Sequence, residues 1–214
     1  MNVDLFFRNS LRMESACVVV LLFIIGNYFF KKRKNTLQHK LFKALIIVSV
    51  FNLIADVFRL YMVCYGDDTN KFLVDLSERA FIFSLLLVLS VSVRYVIYVI
   101  DEASPSEVPR FFSKEGRQYA FIYFPLILGS VCCFTLPLRY EKWEGFYHVV
   151  GYSVYINYII LAFYVFLCIF LMFYHRKQAH LGRALALTGA LIVGFIISIV
   201  EYFFPLSRMM ALAT

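Results

Sequence analysis

Residues 41–65 read LFKALIIVSVFNLIADVFRLYMVCY. Twenty-five residues pass with Lys43, Asp56 and Arg59 as the only charged side chains. A bilayer core about 30 Å thick needs about 20 mainly apolar residues in a helix. This stretch meets that length. Its polar residues Ser49, Asn52, Asp56 and Arg59 follow at spacings of three, four and three. Those spacings put all four on one side of a helix. The stretch therefore predicts a membrane-crossing helix with one polar face turned toward protein.

The same pattern recurs along the chain. Apolar runs cover Ser15 to Phe30, Leu41 to Tyr65, Phe72 to Ile100, Tyr119 to Leu138, Val149 to Tyr174 and Ala184 to Phe204. A further run begins near Met209 and meets the last residue, Thr214. The expected fold class is all-α: a polytopic transmembrane helical bundle with six complete spans plus the start of a seventh. Continuous apolar runs argue against a barrel, which would alternate polarity over about 10 residues. No small-residue cleavage site follows the first run, so it reads as a retained anchor helix and not a signal peptide. Short connections and the absence of an internal repeat make residues 1–214 one membrane domain. The repeats that mark many transporters are not evident.

Composition agrees. Apolar types make up 62% of the 214 residues and charged types 16%, with mean hydropathy +0.76. A soluble domain has about 45–50% and about 25% respectively. The net charge of +7 sits between apolar runs. That arrangement excludes nucleic acid as a partner and leaves the lipid bilayer. Lys31, Lys32, Arg33, Lys34, Lys40 and Lys43 follow the first run, Arg110, Lys114 and Arg117 the third, and Arg176, Lys177 and Arg183 the fifth. These 12 cations oppose six in the alternate set: Arg8, Arg12, Lys71, Arg139, Lys142 and Arg208. Cytoplasmic loops carry the Lys/Arg excess. The expected place is the cytoplasmic (inner) membrane, with an extracytoplasmic N-terminus.

An ionisable group inside a span marks a site by default. In this orientation Asp56, Arg59, Glu78, Arg79, Asn157 and Glu201 fall in the outer half of the membrane, with Asn52 on the same helix face as Asp56. Such a set suits a cup open to the outside, binding a small extracytoplasmic ligand. The segment Arg139 to His148 would be a lid over it, contributing Trp143, Tyr147 and His148. Structural readings stand beside these. Asp56 and Arg59 are i,i+3 neighbours that neutralise each other. Arg79 and the asparagines serve equally well as interhelical hydrogen bonders. Trp143 and Tyr147 suit an aromatic belt at the interface.

Catalytic signals are missing from the sequence. There is no phosphate-binding loop, nucleophile elbow or kinase signature. Cys17, Cys64, Cys132, Cys133 and Cys168 form no Cys-x-x-Cys pair and read as small hydrophobes. His175 and His180 lack further ligands for a metal. No catalytic residue, metal or cofactor is expected.

Val48 to Tyr65, with Asn52 four residues before Asp56, resembles the second helix of bacterial multi-span sensor regions that precede GGDEF (diguanylate cyclase) domains. Arg94-Tyr95-Val96-Ile97-Tyr98-Val99-Ile100-Asp101 is similar to that family's aromatic inner end. Tyr140 to Tyr147, with Gly145, Gly151 and Tyr152, Tyr155 and Tyr158, is similar to its aromatic turn. Tyr174-His175-Arg176-Lys177 is similar to its basic helix end. The resemblance implies a seven-helix input module for cyclic-di-GMP signalling, with its cyclase and a homodimer contact in an output domain outside this chain. A histidine kinase output is equally compatible. A small-solute permease and a membrane scaffold are the rival classes.

Overall fold

The computed structural model describes residues 7, 11, 15, 18–19, 21–28, 36–65, 70–103, 115–143, 146–174 and 182–203. Five helices are complete within them: α1 (Leu37–Tyr65), α2 (Lys71–Ala103), α3 (Glu115–Thr135), α4 (Tyr152–Tyr174) and α5 (Gly182–Phe203). Between α3 and α4 lie strands β1 (Arg139–Trp143) and β2 (Phe146–Val150), paired antiparallel.

Three of these helices are long and apolar enough to cross a membrane: Leu37–Tyr65, Lys71–Ile100 and Tyr152–Phe173. That is fewer than the six complete spans expected. Among the described residues α3 contributes the shorter apolar stretch Ile122–Thr135, 14 residues or roughly 21 Å at about 1.5 Å each. The first run is described only in part, and the run from Met209 lies outside the described residues.

Burial explains why α2 matters most. Half of its membrane window is buried, against 17% for α1. α2 packs against α1, α3, α4 and α5. Its serines permit this. Ser77, Ser84, Ser90 and Ser92 are each 3% exposed or less. Small side chains let helix backbones approach where lipid supplies no hydrophobic drive. The inward layer of Leu86, Leu89, Val93 and Val96 meets Ile160, Leu161, Tyr164 and Cys168 of α4 in the core.

Two more features fix the packing. Gly129 of α3 sits where an added Cβ would lie 2.9 Å from Ile160 Cδ1, 3.0 Å from Leu86 Cδ1 and 3.1 Å from Asn157 Oδ1. The missing side chain lets α2, α3 and α4 meet closely at that depth. Four residues earlier Pro125 interrupts the hydrogen-bond ladder of α3. Tyr164, fully buried, donates its hydroxyl to the Ile122 carbonyl at 2.6 Å. The Leu126 backbone hydrogen-bonds the same hydroxyl. A side chain from α4 thus hydrogen-bonds the backbone of α3 beside Pro125.

The expected loop over residues 139–148 is a β-hairpin. Trp143 pairs with Phe146, leaving only positions 144 and 145 between the strands. The fifth apolar run starts later than expected for the same reason. Val149 and Val150 belong to β2, and Gly151 at φ +140° turns the chain into α4. That backbone conformation is open to glycine and strained for other residues.

Two described residues before α1 meet its opposite ends. Phe7 meets Tyr61 and Tyr65 edge-on at 6.2 and 5.2 Å between ring centroids. Tyr28 meets Phe42 at 5.0 Å and donates its hydroxyl to the His39 carbonyl at 2.9 Å.

Candidate functional site

The chain order puts the ends of α1 and α3, the starts of α2 and α4, and the hairpin at one end of the bundle. Most of the polar side chains expected to form a cup are found toward this end. The structure distributes them over three interhelical contacts.

The first joins α1 to α2. Arg59 donates to Asp56 Oδ1 through Nε at 3.0 Å and through a terminal nitrogen at 2.7 Å. The same guanidinium lies 4.1 Å above the Phe81 ring of α2. A cation on an aromatic face gains electrostatic attraction from the ring. One turn earlier, Asn52 accepts a hydrogen bond from Ser84 Oγ at 2.9 Å.

The second contact joins α2 to the end of α3 and to the hairpin. Arg79 Nε donates to Asp75 Oδ2 at 2.6 Å. Its terminal nitrogen donates to the Cys133 and Leu136 carbonyls, the latter at 3.2 Å. The last carbonyls of a helix have no partner within it and carry the negative end of its dipole. Arg79 therefore caps α3 from a neighbouring helix. Tyr140 of β1 donates its hydroxyl to Asp75 Oδ1 at 2.9 Å. Burial, then this hydrogen bond, then the negative charges of Asp75 and Glu78 push the Tyr140 phenol well above its ordinary value. Glu78 itself is buried at 5% exposure.

The third contact joins α4 to α3 and α2. Asn157, 9% exposed, donates to the Ser153 carbonyl at 2.7 Å. Its Oδ1 and the Ser153 hydroxyl are buried with no conventional hydrogen-bond partner. Oδ1 instead faces the position a Cβ would take on Gly129.

The remaining expected residues are located by backbone alone. Trp143, Tyr147 and His148 lie on the hairpin, opposite Phe146, Lys142 and Glu141. Glu201 lies in the last turn of α5. Their side chains are outside the described residues. Asp75 and Tyr140 belong to the second contact yet were not among the expected ligand residues. The i,i+4 spacing of Asp75 and Arg79 was a usable signal for the first. Nothing in the sequence ties Tyr140 to Asp75, 65 positions away.

Among the described residues no three His, Cys, Asp or Glu side chains are grouped as metal ligands. Cys64, Cys132, Cys133 and Cys168 are free thiols. Comparison with protein-family models, with curated proteins and with solved structures finds no match to this chain.

Proposed function

We propose that the chain is a membrane-embedded sensory domain that binds a small extracytoplasmic ligand and controls a cytoplasmic output. The observation that carries this reading is the Tyr140–Asp75 hydrogen bond. It ties the surface hairpin to α2, a helix that touches every other complete described helix. A ligand held by Trp143, Tyr147 or His148 on the hairpin would act on Asp75 and Arg79 through the Tyr140 contact. From there α2 runs to the opposite end of the bundle. A ligand shifts such an equilibrium only by its different affinities for the two states. A hairpin that docks and undocks from Asp75 supplies that difference.

This reading keeps six spans and the start of a seventh, with residues 1–214 as one domain in the inner membrane and the N-terminus outside. The Phe7 and Tyr28 contacts support the first span. They lie at opposite ends of α1 and 21 positions apart, roughly 32 Å along a helix. The output is a diguanylate cyclase of the GGDEF type or a histidine kinase, carried beyond this chain.

The test is a thermal-unfolding screen of the purified chain in lipid nanodiscs against amino acids, sugars, polyamines and short carboxylic acids. One class is expected to raise the unfolding midpoint, and Trp143→Ala, His148→Ala or Tyr140→Phe to blunt that rise. Equal stabilisation of wild type and all three variants removes the hairpin from the site. Uptake of the stabilising solute into proteoliposomes replaces the sensor with a permease. Topology is checked with single cysteines at Asp68 and Ser113. An impermeant thiol reagent should label only the first from outside the cell.

A further inference from the structure

The protein's positive charge is concentrated at the end of the bundle opposite the hairpin. Connections there carry 12 Lys and Arg against Asp101, Glu102, Glu107 and Glu115. The N-terminal stretch and the hairpin-end connections carry six cations against six carboxylates. Within the basic end one corner has no acidic residue of its own, because no Asp or Glu occurs between Glu14 and Asp56.

The structure sets the depth of that corner. From Ala44 to Tyr65, α1 runs for 22 residues, roughly 33 Å at about 1.5 Å each. That matches a hydrocarbon core of about 30 Å. Lys43 therefore lies at the core boundary and Lys40 one turn beyond it, at headgroup level. Both are exposed, and their i,i+3 spacing puts them on one side of the helix. The Tyr28 hydroxyl on the His39 carbonyl brings the N-terminal run to the same level. Lys31 follows Tyr28 by three residues, a reach of at most about 11 Å. The charges of Lys31 to Lys34 therefore add to the field around Lys40 and Lys43 whatever path that connection takes.

We infer that Lys40 and Lys43 form a docking surface for anionic phospholipid headgroups in the leaflet at the basic end. Two exposed ammonium groups one turn apart at phosphate depth match that chemistry. A basic residue close to an anionic membrane surface contributes about a fivefold preference. This inference does not depend on the sensory reading.

The test uses the full chain reconstituted in vesicles, with spin-labelled phosphatidylglycerol and phosphatidylcholine as probes of the lipids at the protein surface. Wild type should select phosphatidylglycerol over phosphatidylcholine. The pair Lys40→Gln and Lys43→Gln should lower that ratio at least about fivefold, one lysine's contribution or more. Arg139→Gln with Lys142→Gln, at the hairpin end, should leave it unchanged. A wild-type ratio near one, or no change in the Lys40/Lys43 variant, overturns the inference. So does loss of selectivity on adding millimolar inorganic phosphate, which would mark a soluble-anion site. Where the variant fails to fold in phosphatidylcholine alone, wild type in high salt decides the matter. Selectivity must then fall through screening, and selectivity that persists overturns the inference equally.

Discussion

Replacing Tyr164 with Phe removes one oxygen atom from the interior and should cost more than that atom suggests. The hydroxyl donates to the Ile122 carbonyl at 2.6 Å and is also hydrogen-bonded by the Leu126 backbone. The side chain is fully buried, so water cannot substitute. A net hydrogen bond contributes about 1 kcal/mol, and a buried group left unsatisfied costs about 1–3 kcal/mol. Tyr164→Phe should therefore destabilise the domain by about 2 kcal/mol. In a chain of this size that corresponds to a midpoint shift of about 4–8 °C. The assay is thermal unfolding in nanodiscs, followed by circular dichroism. Pro125→Ala supplies the second arm. Alanine restores an N–H at position 125 and removes the ring that crowds the preceding turn, so the backbone beside it depends less on the Tyr164 hydroxyl. The cost of Tyr164→Phe should then shrink by about 1 kcal/mol, a coupling typical of groups in contact. A loss under 0.5 kcal/mol in the native background, or the same loss in both backgrounds, refutes this account of the hydroxyl.

Four further outcomes follow. Arg79→Ala should cost about 3 kcal/mol in the same assay, the lower edge for breaking a buried ion pair, because Asp75 is 32% exposed. Arg79→Lys should recover only part of it, since one ammonium lacks the guanidinium fork that spans Asp75 and two carbonyls. Hairpin docking should be insensitive to alkali until the phenol range. Tyr140 is held protonated above its ordinary value, so its contribution is complete below about pH 10, where the unfolded phenol ionises, and is lost as pH rises further. Hydrogen exchange of the hairpin amides would detect that loss, and Tyr140→Phe should lack this alkaline step. Gly129→Val should cost about 2–3 kcal/mol through overpacking, measured by unfolding, with Gly129→Ala milder because the first atoms it meets end flexible side chains. Gly151→Ala should cost about 1–3 kcal/mol from backbone strain at φ +140°, read as faster hydrogen exchange at Val149 and Val150.

The helical architecture was legible because lipid leaves few solutions. Long apolar runs located α1, α2 and α4 to within a few residues. The fourth run, Tyr119 to Leu138, falls within α3 except for its last three residues, which lead into β1. The hairpin was not legible. Trp143 and Tyr147 read as an aromatic belt, and the strand break at Gly151 is invisible where valines run into tyrosines. At the site, Asp56–Arg59 was recognised from its spacing. The cap that Arg79 places on α3 could not be, since backbone carbonyls have no signature in sequence. The orphan oxygen of Asn157 likewise depends on Gly129, a residue that composition treats as a blank.

The ion pairs Asp56–Arg59 and Asp75–Arg79 are each closed within a single helix. That bears on how the protein is made. Helices leave the ribosome one at a time, and a guanidinium waiting for a partner on a later helix would meet the bilayer bare. Here α1 and α2 each bring their own counter-ion three or four residues away. Each can partition as a nearly neutral segment before α3 or the hairpin has been synthesised. The Cys133 and Leu136 carbonyls and the Tyr140 hydroxyl then join a pair that already exists. Separating Asp75 from Arg79 by moving the carboxylate to another helix would be felt first during membrane insertion, before any finished bundle could be tested.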